Sequence, residues 1–339
     1  MSPITLFYRK KYPTAFSIER LFEQLGRRFE ERGRTVRRAE LPFYNNRLPQ
    51  VWKNIRWARA QVQGRVGEQR RPVKHITGDV TSIVFGFRGP TVITIHDCNP
   101  LLRYPRWDPR YWFYRWVIYE WPARRADAVT VISEKTRREL LALTSCRPDN
   151  IHVIPNFIDP AYEHSPRPFR KERPTILHVG ITPTKNLARL AEALAGIPCR
   201  LEIVGKPKEP DMAALERYGI DFHWETGLSD EAVRQRYTDC DLLAFVSTYE
   251  GFGLPILEAQ MTGRPVLTSA ILPHTDVAGP GGALTVDPHS VTAIREGVLR
   301  LLSDEAERDR MVAAGRRNVI RYGIDAVTDQ YLALYDQIS

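Results

Sequence analysis

Short apolar runs that alternate with helically patterned stretches constrain this chain most. From residue 175 onward the runs are Thr175 to Val179, Arg200 to Val204, Asp221 to Trp224, Leu242 to Phe245 and Pro265 to Thr268. Parallel strands cannot be joined by a tight turn, so a crossover segment, usually a helix, has to lie between them. The first half carries the same theme in Ile4 to Tyr8, Thr91 to Ile95, Ala128 to Ile132 and Ile151 to Ile154. After its first strand, Ile18, Leu21, Phe22, Leu25 and Phe29 fall on one face of a helix that ends before Gly33. The reading is an α/β chain of two Rossmann-like halves. Pro160, Pro166 and Pro168 forbid a helix or a central strand between those halves and mark the join. The expected organisation is an N-terminal domain over 1–162, a linker over 163–174, a C-terminal domain over 175–320 and a closing helix over 321–339. Val327, Tyr331, Leu334 and Tyr335 give that helix an apolar stripe that must dock, and a return to the N-terminal domain across the junction is expected.

With 339 residues, 43% of them hydrophobic, the chain is long enough to bury two cores of ordinary size. Runs such as Ser82 to Phe85 and Thr91 to Ile95 are far shorter than the roughly 20 residues of a membrane-spanning helix. The start, Met1 to Tyr8, reads as a strand and lacks the basic start and longer apolar stretch of a secretory signal, so a cytoplasmic location is expected. Cys98, Cys146, Cys199 and Cys240 are scattered without CxxC spacing or a companion His motif, and no zinc site or disulfide framework is expected. The net charge is +9, yet residues 1–75 hold 18 Lys/Arg against 6 Asp/Glu, a net of +12 that leaves −3 for the remainder. The basic character therefore belongs to one end of the molecule. It does not make a nucleic-acid binder: there is no Cys/His finger, RRM signature or KH loop.

The chemistry concentrates in Phe245-Val-Ser-Thr-Tyr-Glu-Gly-Phe-Gly-Leu-Pro-Ile-Leu-Glu-Ala259. A strand ends near Phe245, Gly251 and Gly253 permit a tight turn with bare N–H groups, and Pro255 suits the first turn of a helix carrying Glu258. A helix N-terminus, with unpaired N–H groups and the positive end of its dipole, then lies at the carboxyl edge of a parallel sheet, where anions bind. Glu250 precedes the turn and Glu258 lies within the helix, so two carboxylates can accept hydrogen bonds from the paired hydroxyls of a ribose or hexose.

This stretch resembles the Glu-x7-Glu motif of the retaining glycosyltransferases of family GT4, whose GT-B fold is two facing Rossmann-like domains with a cleft between them. Leu228-Ser-Asp-Glu231, Tyr237 with Asp241, Gly263-Arg-Pro-Val266, Val286-Asp-Pro288 and Leu301-Leu-Ser-Asp304 follow the family's order through the second half. In the first half Ile95-His-Asp97, Tyr104-Pro105, Ala126 to Glu134 and Val153 to Asp159 do so too, leaving the match weakest over 40–90. The resemblance implies that Glu250 sits near the transferred sugar and that Glu258 binds the ribose. It implies that the backbone N–H groups of Gly251, Phe252, Gly253 and Leu254 hold sugar hydroxyls and phosphate. His96, directly after a strand, would contact the sugar from the opposite domain, and the backbone near Gly227 and Leu228 would hold the base.

A second anion-binding loop, Gly180-Ile-Thr-Pro-Thr-Lys-Asn186, offers Lys185 to neutralise a departing diphosphate. Many relatives place an Arg soon after the glycine, where this chain has Ile181 and Thr182; Arg9, Lys10 or Lys11 could compensate, or could form a solvated basic loop. Asp239-Cys240-Asp241 resembles the DxD motif that holds a divalent ion, but Asp241 leads into an apolar strand where the GT4 pattern also has an acid, so neither metal nor cofactor is expected.

Residues 104–121 interleave Tyr104, Trp107, Tyr111, Trp112, Phe113, Tyr114, Trp116, Tyr119 and Trp121 with Arg106, Arg110 and Arg115. Core packing accounts for at least half of these aromatics. With Lys53, Arg56, Arg59, Arg65, Arg70, Arg71 and Lys74, the rest suggest a face that meets anionic lipid or a lipid-linked acceptor, against the alternative of a merely solvated basic surface. The implied activity is metal-independent transfer, with retention, of a hexose or related sugar from a UDP- or GDP-linked donor to a glycan or lipid-linked acceptor, in cell-surface polysaccharide or glycolipid assembly. The alternative is a catalytically weak GT-B pseudoenzyme that serves as a partner subunit.

Overall fold

A computed structural model of the chain describes residues 2–10, 17–44, 47–62 and 72–339. The chain divides into two compact units, residues 1–157 with 324–339, and residues 158–323. In the first unit β1 (Ile4–Tyr8), β2 (Val36–Glu40), β3 (Val73–Ile76), β4 (Thr91–Ile95), β5 (Ala128–Val131) and β6 (Ile151–Val153) form a parallel sheet in the order β2-β1-β3-β4-β5-β6. In the second, β7 (Thr175–Val179), β8 (Arg200–Val204), β9 (Phe222–Glu225), β10 (Leu242–Phe245), β11 (Val266–Ser269) and β12 (Leu284–Val286) are parallel in the order β12-β11-β10-β7-β8-β9. Both are Rossmann-like α/β sheets. The winding reverses between β1 and β3 in one and between β7 and β10 in the other, and at such a reversal the loops leaving two neighbouring strands diverge and open a crevice.

The expected strands are the apolar ones. Strands β1, β4 and β5 are buried along their whole length, as strands covered on both faces must be. Those the pattern does not signal are polar or short. Strand β2 is a half-exposed edge reading Val-Arg-Arg-Ala-Glu. Strand β3 buries Lys74 and His75 to 2% and 0% exposure. The Lys74 ammonium donates to the Arg88 carbonyl at 2.9 Å, and the His75 ring lies 2.7 Å from the Thr94 hydroxyl and 2.5 Å from that of Tyr335. Lys74 is therefore not on the basic face, because its charge is spent inside the sheet.

The closing helix, Ile324–Ile338, belongs to the first unit. Val327, Tyr331, Leu334 and Tyr335 share a core with Ile4, Leu6, Val73 and Val92 of the sheet and with Phe22, Leu25 and Phe29 of the helix Ser17–Glu31. Arg32 pairs with Asp325 and Asp329, and the buried Arg34 with Asp336 at 2.6 Å, which secures the same docking by charge. Residues 163–174, the expected linker, lie in the second unit, where Arg170 Nε donates to Asp241 at 2.7 Å.

A helix over Pro109–Phe113 continues through a π-helical turn, Tyr114–Glu120, into Trp121–Arg125. Tyr111 and Tyr119 are buried there and Trp107, Trp112 and Trp121 are exposed. On the helix Leu48–Val62, Lys53, Arg56, Arg59 and Trp52 face solvent, while Arg65, Arg70 and Arg71 lie outside the described residues. No described helix is long and apolar enough to cross a membrane.

Candidate functional site

The two loops that leave the sheet at the β7/β10 reversal carry most of the expected site. Strand β7 ends at Val179 and Gly180 follows at φ +94°, where an added Cβ would lie 2.8 Å from Lys185 Cε. Only glycine satisfies both the torsion and the space. The chain then makes a 3-10 turn over Pro183–Lys185, and Asn186, at φ 67°, turns it into the helix Leu187–Leu194. Asn tolerates that torsion better than other side chains, and its amide donates to the carbonyls of Val246 at 3.0 Å and Pro288 at 2.7 Å. Asn186 thereby ties the Lys185 turn to the loops after β10 and β12. A second tie runs from the Thr248 N–H to the Thr184 carbonyl at 2.7 Å.

So held, Lys185 Nζ donates to Glu250 Oε1 at 2.7 Å and stands 4.3 Å from the centre of the Phe245 ring. The partners are 18% and 17% exposed, so this is a largely water-poor ion pair resting on an aromatic face. Beyond Glu250, Gly253 at φ +111° opens the helix Leu254–Thr262 without a side-chain cap, and Pro255 occupies its first turn. Phe252 itself is buried against Tyr322, so what its position can offer outward is backbone. The helix presents N–H groups that no capping side chain has taken.

One turn into that helix, Glu258 accepts hydrogen bonds from the phenols of Tyr237 and Tyr162. Burial raises the Glu258 carboxyl's pKa, and the two donated hydrogen bonds oppose that rise. Both phenols are driven up as well, chiefly by burial, and remain protonated donors. Neither role was assigned from the sequence; Tyr237 stood out only as a motif position, and nothing local links Tyr162 to Glu258. Gly227, at φ +70°, and Leu228 follow β9 at the same carboxyl edge of the sheet, where a Cβ on Gly227 would meet only open space.

His96 lies in the first unit, at the end of β4. Its Nε2 is 2.8 Å from the Thr77 carbonyl, so that nitrogen carries the proton and Nδ1 is left as an acceptor. Burial pulls the imidazole's pKa below its ordinary value, so at neutral pH it is uncharged. Arg9 is paired with Glu19 at 2.5 Å and lies 3.7 Å from Asp79; Lys10 sits over the Tyr44 ring, and Lys11 lies outside the described residues. Asp241, the second acid of Asp-Cys-Asp, stands at the amino end of β10, fully buried, accepting from the Thr175 N–H at 2.8 Å and from Arg170. It anchors β7.

Paired α/β units, one presenting a lysine, two acids and an uncapped helix at its winding reversal, define the class of GT-B glycosyltransferases. The description "Glycosyltransferase Family 4" matches residues 20–162 and "Glycosyl transferases group 1" matches residues 162–318. The chain belongs to glycosyltransferase family 4. It is 27% identical over 284 residues to the MMP alpha-(1->4)-mannosyltransferase of Mycolicibacterium hassiacum, covering 77% of this chain and 68% of that one. Against the serotype-specific mannosyltransferase WbdA of Escherichia coli it is 30% identical over 243 residues, covering 64% of this chain but only 29% of WbdA. Among solved structures, Anabaena HepE in complex with UDP-glucose superposes with a TM-score of 0.79 at 17% identity, covering 98% of this chain and 100% of that one. Sucrose-phosphate synthase from Thermosynechococcus elongatus gives 0.78 at 18%, covering 99% of each chain. At such identities the likeness carries the fold.

Proposed function

We propose that the chain transfers a hexose or related sugar, with retention and without a metal ion, from a UDP- or GDP-linked donor to a glycan or lipid-linked acceptor in polysaccharide or glycolipid assembly. The observation that carries this is the Lys185–Glu250 pair, 2.7 Å apart at the β7/β10 reversal beside an uncapped helix start. A nucleoside diphosphate fits that arrangement: its phosphates take the Gly180 turn, Lys185 and the backbone N–H groups from Gly251 to the helix start at Leu254, while Glu258 accepts from the ribose hydroxyls and Gly227 and Leu228 line the base. The mannosyltransferase names of the relatives support a hexose donor, and the UDP-glucose in HepE supports a nucleotide-linked one.

In this reading the bond from the sugar's anomeric carbon to the diphosphate oxygen breaks as the acceptor oxygen bonds the same carbon on the same face. The acceptor proton passes to the leaving phosphate oxygen. Lys185 balances the charge that builds on that phosphate, and Glu250 orients the sugar. The exposed Trp52 and Trp107, at 66% and 84% exposure, together with Lys53, Arg56 and Arg59, support contact of the first unit with an anionic membrane surface; vesicle binding that weakens steeply with salt is the expected result.

Assay of a panel of UDP- and GDP-sugars, with calorimetry of UDP against GDP, tests the reading. Lys185→Ala is expected to lower turnover by about 10²-fold or more without loss of fold. Nucleotide binding with no turnover on any donor would make the chain a partner subunit instead, and no nucleotide binding at all would sink the assignment.

A further inference from the structure

The second unit has another built cavity, of about 360 Å³, at the amino edge of its sheet, where Asp241 leads into β10 and Pro265 into β11. Lys185 and Glu258 belong to the opposite, carboxyl edge. Four arginines line the cavity, Arg167, Arg264, Arg308 and Arg316. Arg264 is 3% exposed and Arg308 4%, and among the described residues neither has a carboxylate within ion-pairing distance. Arg264 donates to the carbonyls of Tyr237 at 2.9 Å, Thr238 at 2.8 Å and Ser165 at 2.6 Å. Arg308 donates to those of Leu301 and Leu302 and stacks 4.0 Å from the centre of the Phe169 ring. These carbonyls align the two guanidinium groups but supply only partial charge, and arginine does not shed its proton to escape burial.

The acids that border the cavity do not balance it. Asp241 has its oxygens taken by Arg170 and the Thr175 N–H, with Arg167 at 3.7 Å, and Glu305 is held by Lys171 at 2.7 Å. Asp309 is exposed. Four arginines thus line a cavity bordered by three acids, two of which already hold Arg170 and Lys171, and two of the four arginines are buried. A buried charge met directly only by carbonyl dipoles, with its acids held at a distance, is costly, and an anion able to take several N–H donors at once relieves that cost. The volume is that of a small metabolite and not of a polymer segment.

We propose that this cavity is a second ligand site, which binds a small phosphorylated anion independently of the nucleotide site. Arg264 and Arg308 form its floor, and Arg167 and Arg316 close on the phosphate from the rim.

Calorimetry on the full chain with ribose 5-phosphate, and thermal unfolding with inorganic phosphate against sodium chloride at equal ionic strength, test this. The expected result is binding at one site with equal affinity in wild type and Lys185→Ala, and a thermal shift in phosphate beyond that in chloride. The double variant Arg167→Ala/Arg316→Ala, confined to the rim, should weaken binding by roughly tenfold or more, and Arg264→Gln more still. Should Arg264→Gln not fold, the rim variant decides. Binding that disappears in Lys185→Ala but survives in the rim variant places the phosphate at the nucleotide site and overturns the proposal. So does a wild type that responds to phosphate no more than to chloride.

Discussion

Gly180 and Glu258 show how much single positions determine at this site. At Gly180 a methyl group would meet Lys185 Cε at 2.8 Å in a backbone of φ +94°. Gly180→Ala is therefore expected to cost about 1–2 kcal/mol of stability through strain and to lower kcat/KM for the donor by about 10²-fold by displacing the lysine; denaturant unfolding and steady-state kinetics check both. Glu258 raises a subtler expectation. The Tyr237 phenol donates to its carboxyl and opposes the rise that burial imposes, so Tyr237→Phe should raise the Glu258 pKa further. The pH below which UDP affinity falls should then move upward, with several-fold weaker binding at mildly acidic pH. A Tyr237→Phe protein whose UDP affinity follows the wild-type pH profile would show that the phenol does not position Glu258. Of these residues, Gly180, Lys185, Glu250 and Glu258 are readable from spacing, because glycine and proline punctuate the loops that carry them. Tyr162 is not, since its partner lies far along the chain and a hydrogen bond at that distance leaves no local trace.

Among the elements, the closing helix depends most on what it packs against. Its stripe of Val327, Tyr331, Leu334 and Tyr335 announces that it docks, and the core of the first unit is where it does so. The Tyr335 hydroxyl meets His75 Nδ1 at 2.5 Å, inside β3. Tyr335→Phe leaves that ring nitrogen buried without its partner and is expected to cost about 1–3 kcal/mol, measured as a lower urea midpoint with an unchanged m-value. Strand β3 escaped the apolar pattern for the same reason: Lys74 and His75 read as polar, yet each is satisfied inside the sheet. Strand β2 escaped it because an edge strand needs little apolar cover. Segment boundaries moved likewise, with residues 163–174 going to the second unit once Arg170 had Asp241 to bind.

For the molecule as a whole, acid sensitivity is built into both units. Burial lowers His75 to about 3 and His178 to about 4. Below about pH 6.5 the unfolded chain takes up protons at these positions while the native state does not, so stability present above that pH is lost as the pH falls toward 4. Each histidine contributes a slope approaching about 1.4 kcal/mol per pH unit, and His178→Gln should flatten the profile measured by urea unfolding between pH 7 and 5. Residue order by itself determined the α/β class, the two halves and the loops bearing Gly180, Lys185 and Glu250, because backbone torsions and strand or helix periodicity act over a few neighbouring residues; the family followed from the resemblance of its motifs. Only the tertiary structure decided which strands adjoin, that Lys185 meets Glu250, that two tyrosines converge on Glu258, that Lys74 is buried and that Arg264 and Arg308 line one cavity. Each of those facts is a contact between residues remote in sequence, made when packing forces buried polar groups to find partners, and such contacts have no period to read.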